Sequence, residues 1–185
     1  MKRASVALAI LLFAASPAMA RPVAGVEVSE TVSFEGKTLK LNGAGIRKKF
    51  VVKVYVGALY LAQTSTDADS IIKTDAVRMV KLAFLRDVEK AKLIGAFKEG
   101  FEKNSADKAA ALIPHLDKVA AAIGDAKNGT EMTVSYTPGK GTTISMTGSG
   151  SVTIEGKDFA DAIFLSWLGS KPADGGLKSE LLAGK

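Results

Sequence analysis

Arg47 is the residue of this sequence with the best case for binding chemistry. It follows the glycine-bearing turn at residues 42–45 and precedes residues 50–61, an almost wholly apolar stretch. A guanidinium stays charged even when it is buried, and it holds carboxylates or enolates through paired hydrogen bonds. We therefore interpret Arg47 as an anion anchor at the mouth of an apolar cavity. The alternative is an ordinary surface arginine at the end of a strand.

The usual signatures of catalytic and metal sites are missing. The sequence has no cysteine, no Gly-x-Ser-x-Gly turn, no phosphate-binding loop and no dinucleotide fingerprint. His115 is the only histidine, which excludes a site with several histidine ligands and favours a surface or structural role. Asp67 and Asp69 offer too few oxygen ligands for a cation, so we interpret them as a solvated turn. The sequence predicts no cofactor and no metal.

Strand patterns indicate the sheet that would position Arg47. Residues 50–61, rich in Val and Tyr, predict a long strand covered on both faces, at the centre of the sheet. Alternation over residues 26–33 and 38–41 predicts a hairpin that the stretch 42–45 then breaks. Further strands are predicted at residues 77–84, 131–137, 142–147 and 151–154.

A helix is predicted after residues 77–84, and Asp87 is placed to cap its N-terminus. Its buried face is marked by apolar residues at three- and four-residue spacing, namely Leu93, Ile94, Phe97 and Phe101. Asn104 lies two turns after Phe97, so it belongs to the same face and needs a polar partner there.

The remaining helices complete the fold prediction. Residues 108–123 predict a helix broken near its start by Pro114, residues 158–168 predict the last long helix, and residues 177–183 a brief one. Strands, helices, strands and then a helix indicate an α+β fold, an antiparallel sheet with a layer of helices on one face.

The first twenty residues have the pattern of a signal peptide. Lys2 and Arg3 precede an apolar run at residues 6–15, and Ala18-Met19-Ala20 has the form that signal peptidase cuts. We expect cleavage after Ala20, a single domain over residues 21–185, a periplasmic or secreted location and no integral membrane span after cleavage. Removing Lys2 and Arg3 lowers the formal net charge from +6 to +4, a mild bias that argues against a nucleic-acid partner.

Three blocks of the sequence resemble the chalcone isomerase-like family. The first is Leu-Asn-Gly-Ala-Gly-Ile-Arg at residues 41–47 with Gly-Ala-Leu-Tyr-Leu at 57–61, and the second is Phe-Leu-Arg-Asp-Val at 84–88 with the helix at 97–104. The third spans residues 153–157 and 162–169. Together they cover nearly all of the chain after residue 20, in the order of the family. The resemblance implies an open-faced β-sandwich with a ligand cleft between a long curved sheet and the helices.

The resemblance also implies roles for individual residues. Arg47 matches the arginine with which the plant enzymes stabilise an enolate while they close a hydroxychalcone into a flavanone. Phe97 and Asn104 match the enzymes' helix tyrosine and asparagine, so one hydroxyl is missing. Ser166 and Trp167 match the C-terminal hydroxyl residue and its larger neighbour, and Trp167 enlarges the wall of the cleft.

Other relatives in the family bind fatty acids with the arginine and a strand tyrosine, and Tyr55 is the candidate here. The position that carries a threonine in the enzymes falls at Val54 or Tyr55, with a one-residue uncertainty. An Arg-Tyr pair suits a carboxylate head group in an apolar pocket. The alternatives are strand packing for Tyr55, a core position for Phe97 and C-terminal capping of the helix for Asn104.

Three hypotheses follow from these matches. In the first, a monomeric, non-catalytic protein binds a fatty acid or similar amphipathic carboxylate through Arg47 and Tyr55, with further contacts from Phe97, Asn104, Ser166 and Trp167. In the second, the protein is an intramolecular lyase or isomerase that uses Arg47, Asn104 and Ser166. In the third, it is an interaction module without a ligand, in which side chains such as Trp167 fill the cleft.

Overall fold

A seven-stranded antiparallel sheet forms the centre of the protein, whose computed structural model describes residues 20–184. Each strand pairs with the next along the chain. The strands are β3 Thr31–Phe34, β4 Lys37–Lys49, β5 Val52–Leu61, β6 Arg78–Phe84, β7 Glu131–Thr137, β8 Gly141–Met146 and β9 Ser151–Ile154. A separate hairpin is formed by β1 Ala20–Val23 and β2 Val26–Ser29. The predicted signal peptide, apart from Ala20, lies outside the described residues.

Six helices accompany the sheet within residues 20–184. They are α1 Ala68–Lys73, α2 Lys90–Asn104, α3 Ala106–Leu112, α4 His115–Ala122, α5 Lys157–Leu168 and α6 Gly175–Leu181. The predicted α+β fold with an antiparallel sheet is confirmed. In the part of the chain from residue 20 to 184, none of the helices has the length and apolar character that a bilayer span requires.

β5 is the central strand that the apolar stretch predicted, and both of its faces are buried. Tyr55 and Leu59 belong to the core cluster beneath the helices, whereas Val56 and Tyr60 belong to a second cluster on the other face. That second cluster includes residues of the β1–β2 hairpin, and the Tyr60 hydroxyl donates to the carbonyl of Ser29 at 2.9 Å. The two covered faces explain why β5 is apolar at almost every position rather than at every second one.

The glycine-rich stretch at residues 42–45 does not break the strand, contrary to the prediction. β4 runs through it, with a change of register at Asn42. A Cβ atom at Gly43 would overlap the backbone oxygen of Glu180, and one at Gly45 would overlap the Glu180 side chain. The glycines therefore allow α6 to lie directly on β4, and they serve close packing rather than a turn.

Asp87 does not cap α2, contrary to the prediction. The helix begins at Lys90, with Glu89 at the N-cap position and no side-chain cap hydrogen bond. The Asp87 carboxylate instead accepts hydrogen bonds from the backbone of Asn128 at 3.0 Å and from Lys127 Nζ at 3.1 Å. Asp87 does not cap the helix because it binds the loop at residues 127–128, and the sequence does not show that this loop lies close to it.

The solvated turn predicted at Asp67 and Asp69 is in fact the start of the short helix α1. Asp67 caps it by accepting a hydrogen bond from the backbone of Asp69 at 3.0 Å. Among residues 20–184, no group of three or more acidic or histidine side chains is arranged to hold a metal ion. The helix predicted at residues 108–123 is divided into α3 and α4 on either side of Pro114, as the position of this proline indicated.

Candidate functional site

Arg47 lies near the end of β4, directly opposite Tyr55 on β5. Its guanidinium lies over the Tyr55 ring, with Cζ 5.5 Å from the ring centre. The register shifts between Arg47 and Lys48, so both Val54 and Tyr55 belong to the cluster on the helix side of the sheet. At this bulge it is Tyr55, and not Val54, that lies opposite Arg47.

The Tyr55 hydroxyl is buried, and it accepts a hydrogen bond but does not donate one. Its oxygen accepts a hydrogen bond from Trp167 Nε1 at 2.9 Å, and its own proton has no acceptor among residues 20–184. Burial raises the pKa of Tyr55, although the positive charge of Arg47 and the Trp167 hydrogen bond oppose that rise. The phenol is therefore neutral at physiological pH, and its proton is available to a ligand.

Five of the six residues predicted for the site line one small cavity, the inner cavity. They are Arg47, Tyr55, Phe97, Ser166 and Trp167. The Phe97 and Trp167 rings meet edge to face with centres 6.0 Å apart and close the helix side. The inner cavity measures only about 30 Å³, close to the volume of one water molecule and far below that of a fatty acid.

Two polar groups in the wall of the inner cavity lack hydrogen-bond partners within residues 20–184. Arg47 Nε is buried and has no hydrogen-bond partner among the described residues. Ser166 Oγ is also buried without a partner, packed where a Cβ at Gly100 would overlap it. Buried polar groups are normally hydrogen-bonded, and an unpaired charged group is the most costly exception. The arrangement is suited to an acceptor supplied from outside the chain, such as a carboxylate.

A larger depression, the outer groove, adjoins the inner cavity. It measures about 500 Å³ and shares Arg47, Leu93 and Ala96 with the inner cavity. Its apolar wall continues along Val52 and Val54 of β5. Its charged residues are mainly basic: Lys49, Arg86 and Lys92, with Asp87 and Glu99 as the acidic ones. Its volume lies within the usual range of small-molecule sites.

Asn104 is the predicted site residue that does not line the inner cavity. Its amide nitrogen donates to the carbonyls of Gly100 at 3.1 Å and Lys171 at 3.0 Å, and its oxygen accepts from the backbone of Lys171 at 2.9 Å. These bonds match the alternative that Asn104 caps the C-terminus of its helix. They also tie α2 to the segment after α5, which leaves the amide no free group for a ligand.

Sequence reasoning missed a second arginine site at Arg78, which is only 1% exposed. Its Nη2 donates to Asp161 at 2.6 Å, and its guanidinium lies between the rings of Tyr136 and Phe164 at 4.8 and 4.9 Å. Its Nη1 donates to the carbonyls of Ile71, Ile72 and Thr74. The available signal was a charged residue within the apolar strand at residues 77–84, which needs a buried partner.

Comparisons with known proteins agree with this architecture. The family model described as chalcone isomerase-like matches residues 20–183. A solved fatty-acid binding protein from Arabidopsis thaliana superposes with a TM-score of 0.67 and 15% identity, covering 86% of this chain and 92% of that chain. At this level of identity the likeness shows a shared fold. A comparison with curated protein sequences finds no significant match.

Proposed function

Because the chain belongs to the chalcone isomerase-like family, we propose that it is a non-catalytic binding protein for a fatty acid or a similar small amphipathic carboxylate. One observation carries the proposal: Arg47 Nε is buried without a hydrogen-bond partner among the described residues, and the guanidinium lies beside the unused proton of Tyr55. A carboxylate accepts from both groups at once. The fatty-acid binding named for the Arabidopsis structure supports the same ligand class.

The head group and the alkyl chain of the ligand bind in different depressions. The inner cavity has room for little more than one oxygen atom of a head group, so the alkyl chain lies in the outer groove. There it packs along Val52, Val54 and Leu93. Burying each methylene group of the chain contributes about 0.8 kcal/mol of favourable free energy. A deeper position would require the edge-to-face pair of Phe97 and Trp167 to separate.

The geometry favours binding over isomerase chemistry. Phe97 offers no hydroxyl, and the amide of Asn104 is occupied by the backbone of Gly100 and Lys171. Arg47 and Ser166 remain from the enzyme set, and enolate stabilisation by Arg47 is the alternative hypothesis. A rate of chalcone closure above the spontaneous one, lost in Arg47→Ala, would establish that alternative.

We further propose that the protein acts as a monomer after export, in the periplasm or outside the cell. The support is the signal-peptide pattern of residues 1–20, with Lys2 and Arg3 before the apolar run and Ala18-Met19-Ala20 at its end. N-terminal sequencing of the protein isolated from its own host tests this directly. A mature N-terminus at Arg21 is the expected result, and an intact Met1 would contradict export by cleavage.

The binding proposal is tested by native mass spectrometry of the protein from its own host, followed by titration of residues 20–185 with a C16 fatty acid. We expect a co-purified carboxylate in the wild type, and an affinity about 10- to 100-fold lower in Arg47→Ala, the value of hydrogen bonds to a charged group. Arg21→Ala is the matched control, because Arg21 lies on β1 and removing it changes the net charge equally.

The outcomes separate the three hypotheses. Equal affinity in the wild type and Arg47→Ala would overturn the anchor role of Arg47. An empty wild-type protein that binds no fatty acid would instead favour the interaction module, whose filled cleft resembles the small inner cavity beside Trp167.

A further inference from the structure

The turn between β4 and β5 carries the exposed large apolar side chains of the described chain. Phe50 and Val51 are each 92% exposed and Val52 is 40% exposed, and residues 20–184 contain no others of this kind. We call residues 48–53 the hairpin tip. Single exposed apolar residues are common on protein surfaces, but three consecutive ones at the end of a hairpin indicate a contact surface.

The backbone of the hairpin tip also favours a functional explanation. Phe50 has a φ of 57°, in the left-handed region where a bulky residue is unfavourable. A two-residue hairpin turn normally has Asn, Asp or Gly in this conformation. A phenylalanine held there at the cost of strain, and left in water, is explained if its side chain has a partner.

Cations surround the apolar residues. Lys48, Lys49 and Lys53 are exposed, and none of them has an acidic side chain within ion-pair distance in the described chain. The sequence from residue 46 to 56 contains no Asp or Glu. Two acidic side chains act on this region: Glu99 pairs with Lys103, and the Asp174 carboxylate accepts the backbone N–H groups of Lys48, in the hairpin tip, and of Leu177.

We propose that the hairpin tip docks the protein on an anionic lipid bilayer, with Phe50 and Val51 inserted at the head-group level and the three lysines on the lipid phosphates. Aromatic and aliphatic side chains flanked by lysines are the combination that binds such a surface. Each lysine near an anionic membrane raises the affinity about fivefold. A single protein partner would need a shaped recess for Phe50, whereas a bilayer accepts an apolar projection directly.

The position of the hairpin tip extends the proposed function. Phe50, Val52 and Lys49 line the outer groove together with Arg47. A docked tip therefore brings the open side of the groove to the lipid surface, where a fatty acid can enter or leave without crossing water. This consequence rests on the proposed function, whereas the docking itself does not require a ligand.

Vesicle co-sedimentation of residues 20–185, which include every described strand and helix, tests the docking. The probes are phosphatidylcholine vesicles with and without about one third phosphatidylglycerol. We expect binding to the anionic vesicles that weakens with salt, and at least tenfold weaker binding for Phe50→Ser with Val51→Ser. In a Phe50→Trp variant, brominated lipids should quench the new emission, because Trp167 is buried and out of their reach.

The role of the tip lysines is tested against a control variant that removes the same number of lysines from other parts of the surface. Lys48, Lys49 and Lys53 changed to Gln should weaken binding about 100-fold, whereas Lys37, Lys40 and Lys118 changed to Gln should leave it nearly intact. Binding that persists in the Phe50/Val51 double variant would overturn insertion of the tip. A wild type that dimerises, with a monomeric double variant, would also overturn it, because the tip would then bind a second copy.

Different variants test the fatty-acid binding proposal and the membrane-docking proposal, so the failure of one can be told from the failure of the other. Val51 does not line the outer groove, so a Val51→Ser variant should weaken vesicle binding and keep its fatty-acid affinity in solution. Arg47→Ala should keep most of its vesicle binding. Loss of vesicle binding in the Phe50/Val51 double variant and in the Lys48/Lys49/Lys53 variant, with no fatty-acid binding in any protein, would support docking and overturn the proposed ligand.

Discussion

Arg47 and Arg78 both lie against aromatic rings on the helix side of the same sheet, but their surroundings differ. Arg78 is fully buried between Tyr136 and Phe164, with Asp161 and three carbonyls as hydrogen-bond acceptors. Arg47 is half-buried over the ring of Tyr55, and its Nε has no hydrogen-bond partner among the described residues. The chain thus supplies a hydrogen-bonded carboxylate for Arg78, whereas no carboxylate of the described residues lies within ion-pair distance of Arg47.

The difference shows how a binding arginine is distinguished from a structural one. Residue type, adjacent aromatic ring and position on the sheet are shared, so none of them decides the role. The presence of an internal carboxylate decides it, because a buried cation must be neutralised by some partner.

The largest expected effect is on stability, in Arg78→Ala. Removing this guanidinium breaks the buried ion pair with Asp161, leaves three carbonyls without their donor and opens a gap between two rings, so the free energy of unfolding should fall by about 3–5 kcal/mol. Urea denaturation measures it. Arg47→Ala, the comparison variant, should change the free energy by less than about 1 kcal/mol, and similar losses in both variants would contradict the division of roles.

A smaller loss is expected in Asp161→Asn. The substitution takes the carboxylate from Arg78 and also from Lys157, whose Nζ lies 2.7 Å from Asp161 Oδ2. We expect a fall of about 2 kcal/mol in the free energy of unfolding, the value of hydrogen bonds to charged groups. Asp158→Asn is the control, because its pair with Lys108 is solvent-exposed and should contribute less than about 1 kcal/mol. Equal effects would show that burial does not matter here.

Trp167→Phe tests the Arg47 side of the comparison. It removes the hydrogen bond to Tyr55 and part of the wall of the inner cavity, so the free energy of unfolding should fall by about 1–2 kcal/mol. The enlarged inner cavity should also tighten fatty-acid binding, measured by titration. Weaker binding would indicate that Trp167 itself contacts the ligand, and Phe164→Leu serves as a packing control.

The smallest effect concerns Tyr136, the tyrosine beside Arg78. Burial, together with the hydrogen bond to Asp75, raises the pKa of Tyr136 to about 12. The folded state therefore keeps this proton above pH 10, where the unfolded chain loses it, and stability falls as pH rises from 10 to 12. Tyr136→Phe should reduce the loss between pH 9 and 11 by about 1 kcal/mol in denaturant titrations. An unchanged pH dependence would place the effect in other groups.

Local patterns predicted much of the fold and part of the site. The long strand β5 and the strands β7 to β9 followed from apolar content and alternation, and the break at Pro114 from its missing N–H. The family resemblance brought Arg47, Tyr55 and Trp167 together. The prediction of a turn at Gly43 and Gly45 was wrong, because these glycines lie within β4 and make room for α6. The sequence does not show which distant element packs against a glycine.

The sequence by itself determined the class of the protein, the order of its elements and the residues near the inner cavity, since these depend on periodicity and on motifs that the chain carries in full. Only the tertiary structure decided which groups keep free hydrogen-bonding capacity. Asn104 lost its capacity to Lys171, Arg78 found Asp161 from 83 positions away, and Arg47 Nε found no acceptor among the described residues. The physical reason is that hydrogen-bond satisfaction depends on which distant groups meet, and that follows from packing.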